Sequence, residues 1–380
     1  MKTVCEYDQC VGCMACVVSC HKDAILLVDG WNSYNAVVNT DKCINCGLCT
    51  QVCQQKSLLE KKEPMIWKQG WAKDKAIRNV ATSGGFATAI MQSFVLAGGS
   101  VCSCLFNDGK FVFEITKDPD RISKFTGSKY VKSNSIGAYY KVEKALKNGE
   151  KVLFLGLPCQ VAGIKLFIKK QYQDNLYTVD LICHGTPSLK TLNVFLNSKG
   201  IYLDKIRDIK FRSNHVLKSD KEYVSVLEEG VEDSYTYSFL KRVTFTENCY
   251  SCKYAGVGRI SDLTLGDSWG SDMQSEMTDG LSLALCQTEK GKELLYNSNL
   301  VLFDVDKEGA IANNAQLRKA ANKSEKREKF LSSLEKGLSY EQAMLRCYPV
   351  VLIRQKIKEL LIKIRIIKRK DQPYTIRYKR

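Results

Sequence analysis

One pattern, occurring twice, constrains this chain more than any other. It reads Cys10-x-x-Cys13-x-x-Cys16-x-x-x-Cys20 and then Cys43-x-x-Cys46-x-x-Cys49-x-x-x-Cys53. Three thiolates two residues apart can wrap one face of an iron–sulfur cube while the intervening amides turn toward its sulfides, and a helical turn carries the fourth Cys off to the other cube. The spacing therefore assigns Cys10, Cys13, Cys16 and Cys53 to cluster I, and Cys43, Cys46, Cys49 and Cys20 to cluster II. Pro commonly follows the fourth Cys of such runs; His21 and Gln54 stand there instead, which keeps the ligands but leaves the loop geometry open. Zinc rarely needs eight Cys in two identical runs, and disulfides do not suit a chain without a secretory leader. Two [4Fe–4S] clusters are the expectation.

The chain has 380 residues, enough for two or three domains, and its 44% hydrophobic and 26% charged residues are those of a soluble globular protein. The N-terminus has no apolar h-region, and no run of apolar residues is long enough to span a bilayer. Seventeen Cys then point to a reducing compartment and metal ligation, hence the cytoplasm. The net charge of +16 is concentrated at one end: residues 354–380 hold eleven Lys or Arg against Glu359 and Asp371.

Five segments follow from the pattern: a ferredoxin-like module at 1–63, a linker at 64–75, a unit at 76–150, a unit at 151–310, and a helical basic tail at 311–380. In the second unit, Ser83-Gly84-Gly85 precedes an apolar helical run, which could be an anion site or an ordinary helix cap. Ser100–Phe106 and Lys110–Ile115 read as a hairpin across Asn107-Asp108-Gly109, with Cys102 and Cys104 as buried thiols. Gly127-Ser128-Lys129-Tyr130-Val131-Lys132 offers two ammonium groups and hydroxyls to an anion, or else forms a polar turn.

The next stretch reads as a βαβ unit. A helix from about Tyr139 to Lys147 leads to the strand 151–156, a helix from about Val161 to Gln171, and the strand 176–182. Ligand-bearing residues of such units lie at the carboxyl ends of the strands, and both Cys159 and Cys183 stand there. Strands and turns are expected from Ile206 to about Ser238. Cys249 and Cys252 could then be half a zinc site, a redox dithiol or two ligands of a third cluster. Cys159 and Cys183 could complete either metal site, and the two clusters upstream favour iron–sulfur.

Taken together, Ser83-Gly84-Gly85, Gly127-Ser128-Lys129-Tyr130-Val131, Leu157-Pro158-Cys159-Gln160, Cys183-His184-Gly185-Thr186-Pro187, Cys249-x-x-Cys252-Lys253 and the run Ser261 to Gly270 resemble the coenzyme F-420 hydrogenase/dehydrogenase beta-subunit family. The resemblance implies an FAD-binding oxidoreductase with a third [4Fe–4S] cluster, ligated by Cys159, Cys183, Cys249 and Cys252. It implies FAD contacts at Ser83, Gly84, Gly85, Ser128, Lys129 and Tyr130. His184 and Asp267 become candidates for catalytic proton delivery, against a supporting or packing role for each. The fold expected is α+β and α/β: a bacterial ferredoxin-like module, a flavin-binding α/β region with a βαβ core, and a helical C-terminal tail.

Such an oxidoreductase would pass electrons between a ferredoxin or another redox protein and a small two-electron acceptor, coenzyme F-420 among them. The alternative is an electron-transfer subunit that serves a partner enzyme and has no substrate of its own. From Tyr348 to Lys370 apolar residues recur at helical spacing beside Lys and Arg, which suits an anionic inner-membrane surface, an acidic groove on a partner, or docking on the chain's own domain. Nucleic acid is not expected, because the basic residues lack interleaved aromatics and a binding fold.

Overall fold

The computed structural model describes residues 1–212, 222–368 and 374–380. Parts of two expectations lie outside these residues: positions 213–221 of the strand-rich stretch, and Arg369, Lys370 and Asp371 of the tail.

The N-terminal module folds around its cysteines and a hairpin, β1 (Ile25–Asp29) and β2 (Tyr34–Val38), paired antiparallel. The sequence repeat is also a backbone repeat. The residues flanking the second Cys of each run are left-handed: Gly12 (φ 68°) and Met14 (φ 67°) in one, Asn45 (φ 53°) and Gly47 (φ 77°) in the other. A one-turn helix follows each loop, Ala15–Val18 and Leu48–Gln51.

The body is built on one sheet. Its strands in chain order are β3 (Ile66–Ala72), β4 (Ser100–Asn107), β5 (Lys110–Thr116), β6 (Val152–Gly156), β7 (Leu176–Leu181), and, beyond two short strands β8 (Asp208–Lys210) and β9 (Val224–Ser225), β10 (Leu263–Asp267), β11 (Ser282–Cys286) and β12 (Leu300–Phe303). The spatial order is β12-β3-β11-β10-β7-β6-β4-β5. Four consecutive strands, β10, β7, β6 and β4, are mutually parallel, and the remaining pairings are antiparallel. β6 reads Val-Leu-Phe-Leu-Gly and is buried throughout, as a strand covered on both faces must be. Val152 and Phe154 face the helices Ile136–Lys147 and Pro158–Phe167, while Leu153 and Leu155 face the helix Phe86–Leu96.

Three expectations change. Residues 66–72, inside the stretch read as a linker, form β3, because the segment pairs with both β11 and β12 and buries Trp67, Gln69 and Ala72 on the faces of the sheet. Ser234–Leu240, read within a strand-rich stretch, is a helix, because Asp233 caps it by accepting from the Thr236 amide at 2.7 Å. The C-terminal segment is not helical throughout. It ends in β13 (Arg377–Lys379), the middle strand of a sheet ordered β8-β13-β9, where Tyr378 and Ile376 enter a core with Phe211, Tyr235, Phe330 and Tyr340.

Candidate redox centre

Cys10, Cys13, Cys16 and Cys53 are buried and line one cavity together with Cys5. Cys5, a fifth thiol that the spacing argument does not use, lies beside Cys10 and Cys53. Of the second set, Cys20 and Cys43 lie beside Cys49. Cys46 is exposed and its three companions are only half-buried. Cluster I is thus the inner position and cluster II the outer one.

The cluster I loop is fastened to the body. Tyr139 Oη and Ser135 Oγ donate to the Cys13 carbonyl at 2.6 and 2.8 Å. Gly163 lets the helix Pro158–Phe167 approach, because a Cβ there would stand 3.0 Å from Cys13 Cβ. Gln54, where Pro is usual, sends its buried amide to the Cys159 carbonyl.

Cys159 lies in the first turn of that helix, just after β6, and Cys183 follows β7, its parallel neighbour. Cys249 sits in a short turn bonded back to the Cys183 loop, with the Thr246 amide donating to the Thr186 carbonyl at 3.0 Å. Gly185 (φ 126°) must be glycine, because a Cβ would strike the Phe245 ring at 2.3 Å. Cys159, Cys183, Cys249 and Cys252 line a single cavity. Among the described residues, no group of three or more His, Cys, Asp or Glu is disposed to hold a single metal ion. The four thiols ring a space.

The charges around that space are informative. Lys132, 3% exposed, lines it, and its Nζ has no hydrogen-bond partner among the described residues. Arg259, 2% exposed, also lines it; its Nη1 donates to the Tyr254 carbonyl, while Nε and Nη2 have no hydrogen-bond partner there. A buried ammonium without a partner costs several kcal/mol unless a negative charge faces it. Burial pushes the Cys183 thiol up to about 12 and Cys159 higher still, and Lys132 pulls both down. A thiolate-ligated iron–sulfur cube is anionic, so the residues present fit one. Lys132 also neighbours Cys10, and Tyr254 lies among Cys13, Cys53, Cys159 and Cys252, so both sit between this cavity and cluster I.

Beyond Cys183 the site continues. His184 lies open at the cavity mouth, yet surrounding protein desolvates its imidazole and holds it below its ordinary value, with Asp267 opposing. Asp267, the last residue of β10, accepts from Arg212 Nη1 at 2.8 Å. The Arg212 guanidinium lies 6.0 Å from the Trp269 ring centroid and 5.0 Å from that of Tyr374. Tyr130 adjoins Arg212, Asp267 and Ser128.

The six residues that the resemblance assigned to FAD form one neighbourhood, but their side chains differ in availability. Thr82 and Ser128 hydroxyls meet at 3.2 Å, joining the two motifs. The helix Phe86–Leu96 starts on Gly85 (φ 88°) with no side-chain cap on its amides. Ser83 Oγ is committed to the Leu281 carbonyl at 3.0 Å, and Gly84 is packed so that a Cβ would meet the Gly70 carbonyl at 2.4 Å. Lys129, brought down to about 8 by burial, donates to the Phe125 and Thr126 carbonyls. Tyr130 stacks on Phe239 with ring centroids 4.4 Å apart. An uncapped helix start and two facing hydroxyls suit a diphosphate.

Sequence reasoning passed over Arg212, Arg259 and Cys5, and it read Lys132 only as part of a polar anion loop.

The family model for the C terminus of the coenzyme F420 hydrogenase/dehydrogenase beta subunit matches residues 149–300, and a 4Fe-4S dicluster domain matches residues 9–57. No curated protein sequence matches the chain. Among solved structures, a chain of the F420-reducing [NiFe] hydrogenase complex from Methanosarcina barkeri, determined after xenon derivatization, is 17% identical. It superposes with a TM-score of 0.47 over 69% of this chain and 97% of that one.

Proposed function

We propose that this chain, which belongs to the coenzyme F420 hydrogenase/dehydrogenase beta-subunit family and carries an N-terminal 4Fe–4S dicluster domain, is an iron–sulfur flavoprotein that reduces or oxidises a small two-electron acceptor. The observation that carries the reading is the cavity ringed by Cys159, Cys183, Cys249 and Cys252 with the unpartnered Lys132 ammonium on its wall. A ring of thiols around a space suits a four-iron cube better than a zinc ion, whose ligands meet at a point.

The clusters supply one-electron transfer, and FAD, when bound, supplies the exchange between single electrons and hydride. The chain's own residues do the rest. Cys20, Cys43, Cys46 and Cys49 present the outer cluster position to solvent, where exposed Ile44 flanks exposed Cys46 and a ferredoxin or similar carrier could dock. Gln54 and Tyr254 hold the inner position against the third. Ser83, Gly84, Gly85, Ser128, Lys129 and Tyr130 form the wall we assign to FAD, with backbone amides and Thr82–Ser128 hydroxyls facing its diphosphate. Arg212 holds Asp267 in place, and His184 at the cavity mouth is the group best placed to relay a proton to an acceptor, taking one up from solvent on one ring nitrogen as it gives one up from the other. Coenzyme F-420 is one candidate acceptor.

Anaerobic purification followed by iron, sulfide, zinc and flavin quantitation on one sample tests this. About twelve irons and one FAD per chain are expected, falling to about eight irons in Cys249→Ser. Eight irons with zinc and no flavin in the unaltered chain would overturn it. Reduced flavin that turns over no acceptor without a second protein would assign the chain as a relay subunit instead.

A further inference from the structure

The helix Pro349–Lys363 has two apolar faces, and the body covers only one of them. Leu352 and Ile362 are buried at 3% and 4% exposure, and Leu352 packs into the core with Tyr340, Ala343 and Cys347. Lys358 Nζ further ties the helix down by donating to the Gly230 carbonyl at 2.6 Å. On the other side Val350, Ile353, Ile357 and Leu360 are 58%, 51%, 53% and 58% exposed. At 3.6 residues per turn these four fall within about 80° of arc, roughly opposite Ile362. Ile364 and Ile366, just past the helix end, are 54% and 66% exposed.

Charge frames this stripe on both sides. By the same geometry exposed Arg354 borders one edge, while exposed Lys356 and Lys363 border the other. The helix contains a single acid, Glu359, and Lys363 neutralises it at 2.8 Å. Arg365 and Lys368 continue the positive charge beyond the helix. An apolar band edged by long basic side chains on both flanks matches the interface of an anionic bilayer, where the aliphatic stems lie along the acyl chains and the charged heads reach the phosphates. A protein groove that accepted the same band would have to be acidic along both rims. No helix among the described residues is long and apolar enough to cross a membrane, so the contact is in-plane.

We propose that Pro349–Lys363 lies flat on an anionic membrane surface, with Val350, Ile353, Ile357 and Leu360 inserted below the headgroups and Arg354, Lys356 and Lys363 among the phosphates. The inference is independent of the redox reading. It places the reductase at a bilayer face, so its acceptor or redox partner can be one that also resides there.

Vesicle co-sedimentation of the full chain, purified anaerobically, tests the proposal. Phosphatidylcholine vesicles are compared with vesicles that also contain phosphatidylglycerol. Binding to the anionic vesicles is expected, at least about tenfold tighter than to the neutral ones and weakened by salt. The double variant Ile353→Glu, Ile357→Glu should lose binding with unchanged far-UV dichroism and iron content, since both side chains face solvent. Arg354→Gln with Lys356→Gln should lose only the preference for anionic lipid, by about fivefold per charge. Equal sedimentation of the unaltered chain and the Ile353→Glu, Ile357→Glu variant overturns the proposal. So does a concentration-dependent dimer that the same variant abolishes without any vesicle binding, which would assign the stripe to a second copy.

Discussion

Lys132 offers a direct measure of what the four-cysteine cavity holds. Its stem lies along the cluster I loop, with Cδ 3.5 Å from where a Cβ on Gly12 would stand, and its ammonium turns toward Cys159, Cys183 and Cys249. Lys132→Met keeps the length and removes the charge. Coulomb's law with an effective dielectric of ~20 and a separation of roughly 6 Å gives about 2.8 kcal/mol between this charge and one added electron. For a one-electron couple that corresponds to about 120 mV, and relaxation of the surroundings brings it to about half. A cluster held in this cavity should therefore become harder to reduce by about 60–120 mV. Cluster I, which shares the lysine, should shift in the same direction by less, and outer cluster II should stay fixed as an internal reference. Redox titration followed by electron paramagnetic resonance reads all three. Lys132→Arg should restore most of the potential. A shift under about 20 mV at every cluster, or one toward easier reduction, would refute the electrostatic role of Lys132.

Two further predictions concern the lobe that carries the basic helix. Burial, with Asp233 beside it, pushes the Glu232 carboxyl from 4.5 up to about 7. The folded chain thus keeps a proton that the unfolded chain has lost between those values, so stability falls as pH rises across this window. Glu232→Gln should flatten that slope by on the order of 1–3 kcal/mol, read from urea midpoints at pH 5 and pH 8; an unchanged slope counts against it. Asp233, fully buried, accepts from the Thr236 amide at 2.7 Å and from the Ile376 amide at 2.9 Å. Asp233→Ala should cost about 3 kcal/mol by denaturant titration and speed hydrogen exchange at Ile376, because both amides lose a buried acceptor.

Where spacing or strand order alone determines position, the sequence was legible. The eight N-terminal cysteines follow from their intervals, and Cys159 and Cys183 follow from lying at the ends of two apolar strands that proved adjacent and parallel. What escaped depended on contacts distant in sequence. Ile66–Ala72 carries Lys68, Gln69 and Gly70 and has the composition of a loop; it becomes a strand only because β11 and β12 flank it. Ser234–Leu240 carries Tyr235, Thr236, Tyr237 and Phe239, which favour strands, yet the Asp233–Thr236 spacing is a capping signal that could have identified the helix. Lys132 could not have been read. A lysine in a polar loop looks solvated until the fold turns it inward against four thiols. The double-sided character of Pro349–Lys363 was half visible, since periodicity shows that a face is apolar but not that the body covers only part of it.

The attachment of the N-terminal module has a kinetic consequence. Ferredoxin-like units joined to enzymes by a flexible tether deliver charge by swinging, and their rates then depend on viscosity and ionic strength. Here the module is bonded on several sides: Cys13 to Ser135 and Tyr139, Gln54 to Cys159, Asp29 to the Lys190 amide, and Asn32 to the Glu247 amide and Arg327. Nothing in that arrangement swings. The intervals between the two N-terminal cysteine sets and the four-cysteine cavity are fixed by packing, so transfer between clusters held there would be set by driving force and reorganisation energy, and thickening the solvent should slow only the encounter with the external carrier.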